Sequence, residues 1–165
     1  MDLVKFYRGE APDGQGRWLR DYWAWDHERL EAQHDYIQWM FPLVERSAFN
    51  SRAPTFDDAS LAAFRTDPLI RDHLLRSLEV MLDFYGFTLQ REEKTVTLAG
   101  HFNERAAEWL VPNDHNHLRI TRILKCLTLC GLGDYAKAFH RALVGVARPD
   151  TVTRETLRFW ENAVR

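Results

Sequence analysis

The chain has 165 residues, with 22 basic and 24 acidic side chains for a net charge of −2. That balance provides no field to gather nucleic acid or an anionic membrane surface, so no nucleic-acid partner is expected and any anion site must be local. The length suits one domain built around one core, over residues 1–165. Aromatic residues make up 13% of the chain, including 6 Trp and 10 Phe, and read as a thick aromatic core.

The opening Met1-Asp2-Leu3-Val4-Lys5 carries no apolar signal core, and no stretch approaches the roughly 20 apolar residues of a membrane span. Val4, Phe6 and Tyr7 form a short apolar start, which the turn chemistry of Ala11-Pro12-Asp13-Gly14 interrupts. From Arg17, Trp18, Tyr22 and Trp25 recur at helical spacing. Leu30, His34, Ile37 and Phe41 continue as a second helix, which Pro42 should end because a residue before proline avoids the α region. On that pattern His34 lies on an apolar stripe, where it would be a hydrogen-bonded core residue.

Residues 47–54 are polar and loop-like, and Thr55 with Asp58 forms a pair resembling a capping box. Asp67-Pro68 places a capping residue before a proline at the first helical position. The strongest helix follows, with Ile70, Leu74, Leu78, Met81 and Tyr85 on one face and Gly86 as its stop. Residues 87–98 read as extended loop, with at most a short β-hairpin. Helices are expected over 102–111, from Asp114 to Cys130, after Gly131-Leu132-Gly133-Asp134, and around Leu157 and Trp160. The expected fold is therefore an all-α bundle of about seven helices.

Cys126 and Cys130, four apart on a helix, share a face yet lie too far apart for an unstrained disulfide; they read as core residues in a reducing, cytoplasmic compartment. No HExxH pairing, CxxC spacing, P-loop, GxGxxG or GxSxG elbow occurs, so no metal or cofactor is expected. A dispersed active site from His34, Asp35, Glu104 and His115 needs no linear motif, which leaves open an enzyme that uses His34 or His115 on a small anionic substrate. A structural scaffold is a further alternative.

The helix after Asp114 separates its residues by type. At about 100° per residue, Ile120, Ile123, Leu124, Leu127 and Cys130 share one arc, and Arg119, Arg122 and Lys125 another. Guanidinium groups offer paired donors in fixed geometry, so this stripe could grip a carboxylate or phosphate, although basic stripes are often simply solvated. Asn116 points into the apolar arc, where a polar amide must find partners.

The block His34-Asp35-Tyr36-Ile37-Gln38-Trp39-Met40-Phe41-Pro42-Leu43 resembles the conserved domain of the opioid growth factor receptor family. Phe6-Tyr7-Arg8, Leu82-Asp83-Phe84-Tyr85-Gly86-Phe87 and the run from His115 to Lys125 agree with it, in order along most of the chain. The resemblance implies a receptor for the opioid peptide Met-enkephalin, nuclear or membrane-associated in animal members and unrelated to the seven-helix opioid receptors. Residues and resemblance together lead to the expectation of a non-enzymatic module that recognises a small peptide or other small anion. His34, Asp35, Gln38, Trp39, His115, Asn116, Arg119 and Arg122 are its candidate ligand-binding residues.

Overall fold

The computed structural model describes residues 2–165, so Met1 of the opening segment lies outside the described residues. The chain is mostly helical and divides into two compact units, Met1–Val80 and Met81–Arg165, with the boundary inside one long helix. Among the described residues there are ten helices and one two-stranded sheet.

The first unit opens with α1 (Leu3–Arg8), whose amide of Lys5 is capped by Asp2 and whose end is turned by Gly9 at φ +78°. Three short helices follow, α2 (Leu19–Ala24), α3 (His27–Ala32) and α4 (Ile37–Met40). The continuous helix expected from Leu30 to Phe41 is thus broken. Gln33 at the end of α3 is extended, and two tertiary bonds hold the break. Tyr36 Oη donates to Leu30 O at 2.7 Å, satisfying a carbonyl that the helix no longer uses, and Asp35 is drawn out to Arg17. His34 consequently sits exposed on the turn instead of on a core stripe. Pro42 follows the end of α4, as expected from the sequence.

α5 (Asp58–Thr66) is capped by Asp57 and Ser60, which bond reciprocally, and not by the Thr55 and Asp58 pair. Asp57 lies one residue before the helix, where its carboxylate reaches the Ser60 amide at 2.7 Å. α6 (Pro68–Tyr85) begins as read from the sequence, with Asp67 accepting from the Leu69 amide. The core of this unit is aromatic. Phe6 meets Trp39 edge-on at 4.9 Å, Tyr7 meets Phe64 at 4.9 Å, and Tyr22 and Trp25 both pack on Tyr36. Tyr7 Oη lies 2.5 Å from Met40 O and 2.8 Å from Ser77 Oγ. Its one proton serves the carbonyl, so the Ser77 hydroxyl donates to Tyr7 and accepts from Trp23 Nε1.

In the second unit Gly86 ends α6 at φ +95°, and a Cβ there would lie 2.8 Å from Phe102 Cα, so both conformation and space require glycine. Strands β1 (Phe87–Gln90) and β2 (Thr95–Leu98) then pair antiparallel, with Phe87 opposite Leu98. Four helices complete the unit: α7 (Phe102–Trp109), α8 (Asn116–Leu129), α9 (Gly133–Val146) and α10 (Arg154–Ala163). α8 packs against both α9 and α10, and β2 packs on α9. Cys126 and Cys130 are buried and unbridged, with sulfurs 4.0 Å apart against the roughly 2.05 Å of a disulfide. Burial, then the neighbouring Cys130 sulfur, push the Cys126 thiol up from its ordinary value.

Candidate functional site

The first family block is tied down by charge. Asp13, its side chain fully buried, accepts from the backbone amides of Gln15 at 2.8 Å and Arg17 at 2.9 Å, from Arg17 Nε at 2.7 Å, and from Tyr22 Oη. Arg17 reaches on to Asp35 at 2.9 Å, and Gln15 Nε2 donates to the same carboxylate at 2.6 Å. The guanidinium also lies over the rings of Tyr22 and Trp25.

Burial alone would raise the Asp13 carboxyl, but the bonds from Tyr22, the Arg17 and Gln15 amides and the Arg17 side chain outweigh it and hold it below the usual carboxylate range. Asp35 follows the same pattern: desolvation pushes it up, Arg17 and Gln15 pull it down further, and the net shift is downward. Burial and then the Asp13 bond push the Tyr22 hydroxyl well above its ordinary value, so Tyr22 stays a donor.

Of the candidates in this unit, Asp35 is a partner of Arg17 and Trp39 is buried against Phe6. Gln38 is also buried, and its Oε1 has no hydrogen-bond partner among the described residues. Asp13 was legible only as a turn residue and Arg17 only as the start of a helical pattern, although their spacing of four carried a signal for an ion pair.

The second block contains buried polar groups in larger number. Asn116 is fully buried, as the helical wheel requires; its Oδ1 accepts from Tyr85 Oη at 3.2 Å and from Arg119 Nη1 at 3.5 Å. Its backbone amide is capped by Asp114 Oδ1 at 2.8 Å. Arg119 is buried at 6% exposure, Arg122 is half-buried and Lys125 is exposed, so the basic stripe runs from the interior out to solvent. α8 contains no acidic residue. His115 is exposed beside Asp114, with Nδ1 at 4.0 Å from its carboxylate, and Glu104 is exposed on α7.

His117 was not singled out by the wheel, yet it joins three helices. Its Nε2–H donates to Trp109 O at 2.9 Å, which leaves Nδ1 as a buried nitrogen without a hydrogen-bond partner among the described residues. Its own carbonyl accepts from Trp160 Nε1 at 3.1 Å. Trp109 in turn donates to Tyr85 O at 3.0 Å. Burial lowers the His117 imidazole below its ordinary value; the Trp109 carbonyl and Asp114 oppose that shift, and His115 adds to it.

Over residues 2–165 the chain matches the model of the opioid growth factor receptor conserved region. It belongs to the opioid growth factor receptor family. The rat opioid growth factor receptor is 41% identical over 140 residues, covering 82% of this chain and 24% of that protein. The human opioid growth factor receptor is 35% identical over 161 residues, covering 93% and 23%. Mouse opioid growth factor receptor-like protein 1 is 33% identical over 175 residues, covering 100% and 37%. The chain thus spans between about a quarter and somewhat over a third of the length of these relatives. No solved structure matches it. In this opioid growth factor receptor family chain, no helix of the described residues is long and apolar enough to cross a membrane.

Proposed function

We propose that this chain is a non-enzymatic recognition module that binds a small peptide, or another small anion, through Asn116, Arg119 and Arg122 of α8. The buried pair of Arg119 and Asn116 is the observation that carries this reading. A guanidinium held by an amide oxygen keeps its planar fork in fixed geometry, the geometry that suits a carboxylate. α8 contributes three cations, Arg119, Arg122 and Lys125, and no acidic residue of its own. The names of the relatives point to an opioid growth factor as the peptide, and the C-terminal carboxylate of Met-enkephalin is the matching anion.

His115 borders this set from its exposed place before α8. The first-unit candidates His34, Asp35, Gln38 and Trp39 form a separate set, of which Gln38 offers a buried acceptor oxygen for a donor group. The reading takes residues 1–165 as one domain, which is supported by a single family model spanning 2–165. It takes the compartment to be cytoplasmic, which the two unbridged cysteines support.

Calorimetry with Met-enkephalin, its C-terminal amide and inorganic phosphate tests the proposal against the Arg119→Ala/Arg122→Ala variant. The free acid should bind, and both amidation and the double substitution should weaken it at least about tenfold, the equivalent of about 1.4 kcal/mol. Equal binding by the variant removes the site assignment, and no binding by the wild-type chain removes the recognition reading. Arg122→Ala alone, at a half-buried position, supplies the comparison if the double variant melts.

A further inference from the structure

α10 packs chiefly on α8 and to a lesser extent on α9. Trp160 is its one fully buried aromatic ring, while Arg154, Glu155, Arg158, Phe159, Glu161 and Asn162 are exposed. The indole of Trp160 donates to the His117 carbonyl at 3.1 Å and stands edge-on to the His117 ring, 5.7 Å away at 83°. The same imidazole donates to Trp109 O and stands edge-on to the Trp109 ring at 6.4 Å, so α7, α8 and α10 meet at one side chain. A second fastening is Thr128, whose hydroxyl lies 3.0 Å from Ala163 O and 2.9 Å from Leu124 O. His140 of α9, half-buried, is the third group involved, since Glu161 of α10 acts on it.

We propose that α10 is an acid-releasable latch: protonation of His117 frees Trp160, and α10 leaves α8 and α9 while the remainder of the second unit stays folded. With Nε2–H committed to Trp109 O, an added proton must go to Nδ1, which is buried and has no acceptor among the described residues. Charging the ring would therefore leave both a desolvated cation and an unmade hydrogen bond. The groups acting on it are Asp114, which favours the proton, and His115, which opposes it; α7 contributes a carbonyl and α7 and α10 contribute indole rings. Burial prevails, and His117 is held below its ordinary value.

His140 shifts in the same direction. Burial lowers it, Glu161 raises it and Arg141 lowers it, with a net downward shift. In the released state both imidazoles are hydrated and titrate near the ordinary 6.5. As pH falls below that value the released state takes up protons that the closed state refuses. Release should rise by up to about tenfold per pH unit for each histidine until the closed-state value is reached. α10 yields first because it packs chiefly on α8, the helix of His117, whereas α9 is also held by β2.

Amide hydrogen exchange by NMR on the full chain, corrected for intrinsic rates and followed from about pH 7.5 to about pH 4.5, tests this across the histidine range. Amides of 154–163 should lose protection before those of α8 and α9, in step with the His117 ring-proton titration. His117→Gln, whose amide can donate to Trp109 O but cannot charge, should hold α10 closed by about tenfold or more at the acid end, the effect of one proton over one pH unit. The proposal falls if protection is lost evenly through the unit, if His117 titrates at or above 6.5, or if the Gln variant releases α10 as the wild type does. Should His117→Gln fail to fold at neutral pH, the wild-type titration and exchange order decide it.

Discussion

The two units solve the burial of polar groups in opposite ways. Residues 1–80 sink a charge: Asp13 is fully enclosed, and four donors plus a chain of ion pairs through Arg17 to Asp35 repay its desolvation. Residues 81–165 sink mainly neutral groups, namely the Asn116 amide, the His117 imidazole and the indoles of Trp109 and Trp160, bonded largely to main-chain carbonyls, with the Arg119 guanidinium buried beside Asn116. Charge enclosed near a surface gives a network sensitive to salt and to strong acid. Mainly neutral groups give a network less sensitive to salt, whose weak point in acid is His117, held below its ordinary value by burial.

Asp13→Ala should be the costliest way to break the comparison. It strands Tyr22 Oη, two backbone amides and one edge of a half-enclosed guanidinium, for a loss of about 3 kcal/mol in urea unfolding of the first unit. The acid limb supplies a second reading. The Asp13 carboxyl lies below its ordinary 3.8 when folded, so its contribution is complete above that value and disappears as pH falls below it. The variant should lack that part of the acid transition. A loss under about 1 kcal/mol would mean that the buried carboxylate contributes no more than an ordinary hydrogen bond. Asn116→Ala comes next, at about 2 kcal/mol, because it removes the oxygen shared by Tyr85 and Arg119. Its cost should change less with added salt than that of Asp13→Ala, which should shrink; equal salt dependence in the two would erase the distinction between the units.

The same contrast explains what could be read from the sequence. α6 was legible at both ends, since Asp67-Pro68 and Gly86 punctuate it locally, and Gly131 similarly marks the end of α8 at φ +80°. Asn116 was legible because α8 is long and unbroken, so a wheel drawn through it holds. The run from Leu30 to Phe41 was not. Its break rests on Asp35 reaching Arg17, 18 positions earlier, a pairing absent from any local pattern. The junction at His117 was hidden for a related reason: its partners are a carbonyl eight residues away and an indole 43 residues away, and neither leaves a motif. Spacing reveals which side of a helix is apolar, but not which carbonyl a buried ring will find. The hairpin over 87–98, read as loop with extended character, formed because Gly86 and a left-handed Lys94 allow the chain to turn at both ends.

His34→Ala should have the smallest effect and gives the sharpest comparison with Asn116, the other polar residue that helical spacing points inward. Drawn on a continuous helix with Leu30 and Ile37, His34 belongs in the core, and its removal there would open a cavity and strand its partners for well over 1 kcal/mol. With the chain broken at Gln33, the imidazole is exposed on the turn between α3 and α4, and the buried ring at the break is that of Tyr36. Substitution at such a position should change stability by less than about 0.5 kcal/mol, read as a small shift in thermal midpoint. A loss above about 1.5 kcal/mol, of the size reserved for buried and bonded groups, would return His34 to the core and join α3 to α4. Since Asp35 remains with Arg17 and Tyr36 with Leu30 O, the break outlasts the loss of the histidine. A family block can therefore carry a prominent histidine whose neighbours, and not its own ring, fix the path of the chain.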